Sequence, residues 1–220
     1  MKPLFRRIGA FLLALFAAQL APQAAYAGPM GFKDSVMAMG DFGANWREGF
    51  ANYAFTGRDA VGAGGLWMRS DDGLRVREVA EVNYTRRLAR WNQPDSQANV
   101  WLVVGLGPVT GNDFSGSRTL FSPGIQVDYE TTRVYIAAMA RLYRAEGLNR
   151  DYASLRAGFS FYEVDYDEIQ PWFILEARRM NGLSDQTEIT PMLSLIHKLY
   201  FVEFGVNNAN QGRFNFMYIF

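Results

Sequence analysis

The sequence predicts an all-β fold, a closed antiparallel transmembrane β-barrel of about twelve strands, with ten as the alternative count. Three observations predict it. After residue 27, about twelve segments alternate in polarity with a period of two, so each sends one set of side chains to each face. Turn-forming residues separate them, and most are near the nine to eleven residues that a tilted membrane strand needs. Beyond residue 27 no segment is long and apolar enough for a spanning helix, so a membrane-embedded chain must close into a barrel.

The chain divides into two parts. Residues 1–27 read as a signal peptide. Lys2, Arg6 and Arg7 are followed by the apolar run Ile8–Leu20, and Ala25-Tyr26-Ala27 is a small-x-small cleavage site, with cleavage expected before Gly28. Residues 28–220 form the barrel. Losing the leader removes three of the 22 basic residues and none of the 22 acidic ones, leaving a slightly acidic chain. That balance offers no basic patch for nucleic acid. The absence of Cys excludes disulfides and thiolate metal sites.

The expected strands are 35–42, 45–56, 59–69, 76–88, 98–108, 118–129, 133–144, 151–163, 170–181, 187–197, 199–207 and 212–220. Gly, Asn and Asp fill the connections, where positive φ is needed. The glycine-rich run 60–65 cannot fix its own register. Pro123 and Pro191 fall inside strands, where they should mark bulges or bends because proline cannot donate to a ladder. No loop is long enough to plug the interior; large side chains fill it, or a narrow water path remains.

The last strand carries aromatic side chains at Phe214, Phe216, Tyr218 and Phe220, all on one face. This row resembles the carboxy-terminal assembly signal of bacterial outer-membrane β-barrels. The resemblance implies the bacterial outer membrane as location. It implies membrane lipids and the barrel-assembly machinery as partners.

Alternation also separates the faces. Val134, Ile136, Leu142, Leu155, Phe159, Phe161, Phe173, Leu175, Phe121, Ile125 and Val127 should meet lipid. Tyr135, Met139, Tyr143, Ser160, Tyr162, Trp172, Ser122 and Gln126 should point inward. Arg77, Glu81, Asp128, Arg141, Arg156, Glu176, Arg178, Glu188 and Glu203 should line the lumen, since a charge facing lipid costs a few kcal/mol at mid-depth. Their mixed signs fit either a self-satisfying ion-pair network or an eyelet with opposite walls of opposite charge. Reversing the charges of Arg141 and Glu176 as a pair should then alter ion selectivity.

Met37, Met39, Met68, Met139, Met180, Met192 and Met217 are also expected to face inward. Their thioethers are soft ligands for Cu(I) or Ag(I), or equally gap fillers. His197, the single histidine, falls at a turn with no oriented Ser beside it, so no catalytic residue is expected. Asp165, Asp167 and Glu168 read as a solvated turn. Trp46, Trp67, Trp91 and Trp101, with Tyr129, Tyr152, Tyr166, Tyr200 and Tyr218, are expected in two interfacial girdles. Trp172, Tyr135 and Tyr143 are candidates for stacking on a ligand in the lumen. The functional expectation is a narrow channel or binding barrel for a small polar solute, with no cofactor. Its alternatives are a methionine-lined soft-metal barrel and a structural barrel without transport.

Overall fold

The computed structural model describes residues 28–165 and 167–220. The proposed leader and Tyr166 lie outside the described residues. Twelve strands follow one another: β1 (Val36–Phe42), β2 (Trp46–Tyr53), β3 (Asp59–Arg69), β4 (Val76–Gln93), β5 (Ser96–Gly111), β6 (Arg118–Thr131), β7 (Val134–Ala145), β8 (Leu148–Ser160), β9 (Gln170–Asn181), β10 (Glu188–His197), β11 (Tyr200–Val206) and β12 (Gly212–Ile219). Each pairs with its sequence neighbours, and β1 pairs with β12, so the sheet closes on itself with no free edge. Turns after even-numbered strands share one end with both termini; turns after odd-numbered strands form the far end.

Period-two alternation produces two chemically distinct surfaces. Val82, Leu106, Ile125, Val127, Ile136, Leu155, Leu175, Leu193 and Phe204 are exposed on the outside and form an apolar belt. The predicted lipid-facing residues of β6 to β9 lie in it, including Phe121, Phe159 and Phe173. Inward positions are buried and largely polar. The aromatic row of β12 lies outside at the closing seam. Phe42 of β1 stacks against Phe214 and Phe216 (ring centroids 6.4 and 6.2 Å), and Tyr218 against Tyr200 of β11 (4.5 Å).

The prolines do not make bulges. The β5–β6 ladder runs through Pro123 in unbroken register. On the β7 side the pairing pauses at residues 122–123 and resumes without a slip. Pro191 pairs normally with Leu175 and lies just beyond the end of the β10–β11 ladder, so its missing donor leaves no gap there. The register shift falls instead between Arg87 and Ala89 in β4. The glycine run of β3 is held from both sides by unbroken ladders to β2 and β4. A Cβ at Gly64 would lie 2.8 Å from the Cβ of Phe50 on the paired strand, so glycine here avoids a clash between the two strands.

Two features narrow the ends. At the termini, the segment before β1 turns into the mouth. Met30 packs with Ala54, Ala60 and Trp101, and Asn52 donates to the Pro29 carbonyl (2.8 Å). At the far end, Trp46, Leu66, Met68, Tyr143, Met180 and Leu183 belong to an apolar cluster inside the barrel. Leu183 comes from the β9–β10 loop, which is tied across the mouth to the β3–β4 loop. Ser184 Oγ and the Asp185 amide both donate to Asp71 Oδ2 (2.8 and 3.1 Å). A short loop thus does help fill the barrel, because Leu183 enters the lumen instead of leaving it open.

Candidate functional site

Between these ends lies a cavity of about 690 Å³, lined by residues of every wall. Its middle is a tier of charge. One chain of contacts runs Glu188–Arg178–Asp41–Arg213–Glu176–Arg156–Glu203–Asn215. Arg178 grips Glu188 with two bonds (3.0 and 3.1 Å) and reaches Asp41 (3.0 Å). Arg213 holds Asp41 (2.6 Å) and Glu176 (2.7 Å). Arg156 holds Glu176 (2.8 Å) and both oxygens of Glu203 (2.9 and 2.7 Å), and Asn215 Nδ2 donates to Glu203 (2.7 Å).

The second cluster spans other walls. Arg141 of β7 reaches Glu81 of β4 (2.5 Å) and lies 3.7 Å from Glu48 of β2, while Ser122 donates to Glu81 (2.6 Å). A Cβ at Gly105 would lie 2.2 Å from Glu81 Oε2 and 2.3 Å from Ser122 Oγ, so a bare backbone makes room for this contact. Nearer the termini, Asp128 accepts from Asn99 and Trp101 Nε1, both at 2.6 Å, and Gln97 donates to Glu130 (3.1 Å). At the far rim Arg77 pairs with Asp113, which draws the loop carboxyl below its ordinary pKa by hydrogen bonding.

All nine predicted lumen charges therefore point inward. Eight of them form ion pairs, and Asp128 is held by neutral donors. Arg141 and Glu176 are not partners: each belongs to a different cluster, so reversing them would break two networks instead of inverting one pair. Asp41, Glu48, Glu130, Arg213 and Asn215 escaped the sequence reading. Arg213 and Asn215 were accessible to it, because they alternate with the outward rings Phe214 and Phe216. Asp41 and Glu48 lie on the short first strands, whose polarity pattern is weak.

The aromatic residues divide differently from the expected girdles. Trp91, Tyr129 and Tyr200 are exposed on the outer surface, and Trp67 lies between Arg47 and Arg69. Trp46, Trp101 and Tyr152 instead face the lumen. Trp46 stacks on Tyr152 (5.0 Å), and Trp101 is fixed by Asp128. For Trp101 the indole N–H is satisfied by Asp128 inside the barrel, which outweighs the interfacial preference. Tyr162 is also corrected: it lies past the end of β8 and is 54% exposed. Tyr135, Tyr143 and Trp172 line the cavity as expected.

The methionines face inward, yet at separate levels. Met39 and Met217 are partners across the β1–β12 seam, while Met37 lies opposite Ile219. Met68 and Met180 belong to the far apolar cluster, and Met192 packs with Trp172 and Ile174. Met139 lines the cavity. This dispersal matches the filling of irregular gaps more closely than a gathered set of ligands. His197 Nε2 lies 3.1 Å from the Asp167 carbonyl, bracing the β8–β9 turn.

The closed cylinder, its apolar outer belt and its polar, ion-paired interior define a transmembrane β-barrel of the bacterial outer-membrane type. No family model matches the sequence, and no curated protein matches it. Among solved structures the chain is similar to a KdgM porin in complex with disordered oligogalacturonate, at 14% identity and a TM-score of 0.49, over 84% of this chain and 98% of that one. It is similar to a second structure, of the KdgM porin, at 13% and 0.48, with the same coverage. A loop L8 deletion mutant of OmpT, an outer membrane protein of Vibrio cholerae, matches at 9% and 0.34, over 84% and 97%.

Proposed function

We propose that this barrel is a narrow outer-membrane channel for small polar solutes, with Trp46 and Tyr152 at its narrowest level. One observation carries the reading. The cavity extends from the terminal end up to these two rings, and a second cavity of about 180 Å³ at the far mouth is lined by the same two residues. The aromatic pair is thus the partition between an inner chamber and an outer vestibule. Every guanidinium of the middle tier is neutralised by carboxylates, so size and hydrogen bonding govern passage more than the sign of charge.

Single-channel recording and liposome swelling test this. The refolded protein gives a small conductance with weak ion preference, and admits small polar solutes while excluding oligomers. A barrel that neither conducts nor swells vesicles, even when Trp46 or Tyr152 is replaced by Ala, is a structural barrel, and the proposal falls.

A further inference from the structure

We infer that the wall formed by β9 to β12, at the terminal edge of the charged tier, holds a subsite for an uncharged hydroxylated ring of monosaccharide size. Trp172, Ser194 and Asn215 line the cavity there, each at least nine-tenths buried. Ser194 pairs across the ladder with Trp172 on one side and Glu203 on the other, and Glu203 in turn faces Asn215. The four side chains therefore form one row around the wall.

Three polar atoms of this row lack a hydrogen-bond partner among the described residues: Trp172 Nε1, Ser194 Oγ and Asn215 Oδ1. Leaving such groups unpaired costs about 1–3 kcal/mol each, so an occupant of the adjoining lumen that pairs with them recovers that cost. Their chemistry narrows the occupant. The indole N–H requires an acceptor, the Asn215 oxygen requires a donor, and the Ser194 hydroxyl takes either. A carboxylate cannot donate to Asn215 and an ammonium cannot accept from Trp172; a hydroxyl group does both.

The surroundings favour neutrality. Arg156, Glu176 and Glu203 are already spent on one another. Ile174 and Ile196, with the ring of Tyr135, pack around Trp172 and present apolar surface to a ring face. A cavity of about 690 Å³ admits such a ring with room to spare. The subsite rests on the channel reading only in that solutes must reach this chamber.

The test uses the whole protein in detergent micelles, with saturation-transfer NMR against D-glucose, D-galacturonate and L-alanine, alongside conductance of the same preparations. Glucose gives ring-proton transfer. Ser194→Ala and Trp172→Phe each weaken it about three- to tenfold while conductance persists. Heat-modified mobility on gels confirms that both variants fold. Absent glucose transfer, equal transfer in both variants, or preference for galacturonate or alanine overturns the subsite and leaves the channel standing. Glucose binding without conductance or swelling removes the channel and leaves the subsite.

Discussion

Trp46 and Tyr152 stack with ring centroids 5.0 Å apart and an interplanar angle of 28°. They belong to β2 and β8, six strands apart in a twelve-strand cylinder, and so to opposite walls. Two side chains meeting across a lumen set its bore at that level. Arg178 lies over the indole of this contact, 5.7 Å from the Trp46 centroid, which fixes it further.

Replacing Trp46 or Tyr152 by Ala therefore widens the bore. Unitary conductance should rise several-fold in either variant, and larger solutes should enter liposomes. Unchanged conductance would place the narrowest level elsewhere.

The loop latch gives an independent prediction. Asp71 accepts from Ser184 Oγ and from the Asp185 amide, and nothing covalent joins the two loops. In Asp71→Ala the β9–β10 loop should loosen and withdraw Leu183 from the apolar cluster. Faster cleavage within 182–187 by an added protease, with noisier current, is the expected readout.

Arg213 offers a stability test. It is almost fully buried between Asp41 and Glu176. Arg213→Ala leaves both carboxylates short of a cation, a loss of about 3–5 kcal/mol for a broken buried pair. Urea unfolding in lipid vesicles measures it. Lys should rescue only in part, because a single ammonium cannot reproduce the forked contact with two acids.

Strong acid should loosen the β3–β4 turn. Asp72 accepts from the Ser70 hydroxyl and the Leu74 amide, and these hydrogen bonds hold its carboxyl below the ordinary value. A depressed folded pKa means that the stabilisation of the turn is complete above the unfolded carboxylate pKa. It is lost as pH falls through the lower, folded value. Hydrogen exchange at the Leu74 amide should accelerate on acidification through that window, and Asp72→Asn should remove the pH dependence.

Much of this architecture was legible because lipid enforces a simple code. Outward positions within the belt, such as Ile125, Ile136, Leu155 and Leu175, must be apolar, which fixes the opposite face as lumen and places Arg141, Arg156 and Glu176 correctly. Strand ends were legible from turn residues, except at β2, which stops early at Tyr53, at β8, which runs from Leu148 to Ser160 instead of 151–163, and at β4 and β5. These run on to Gln93 and from Ser96, past the length a membrane requires, because their hairpin continues beyond the belt. Partnership was not legible. Alternation states that Arg141 points inward, but its reach to Glu81 and Glu48 depends on the curvature of the wall and on the space left by Gly105. Trp46, Trp101 and Tyr152 were misplaced for a related reason: an aromatic side chain near a strand end suits either an interface or a lumen, and the deciding partners come from distant strands.

The seam between β1 and β12 has a consequence for biogenesis. In the finished cylinder one margin of the last strand is bonded to β11 and the other to β1. A chaperone that grips this strand by its main chain must do so while the wall is still unzipped, and the incoming first strand then competes for that margin. For such a chaperone, release and completion would be one event, since closing the β1–β12 ladder also seats Phe42 on Phe214 and Phe216.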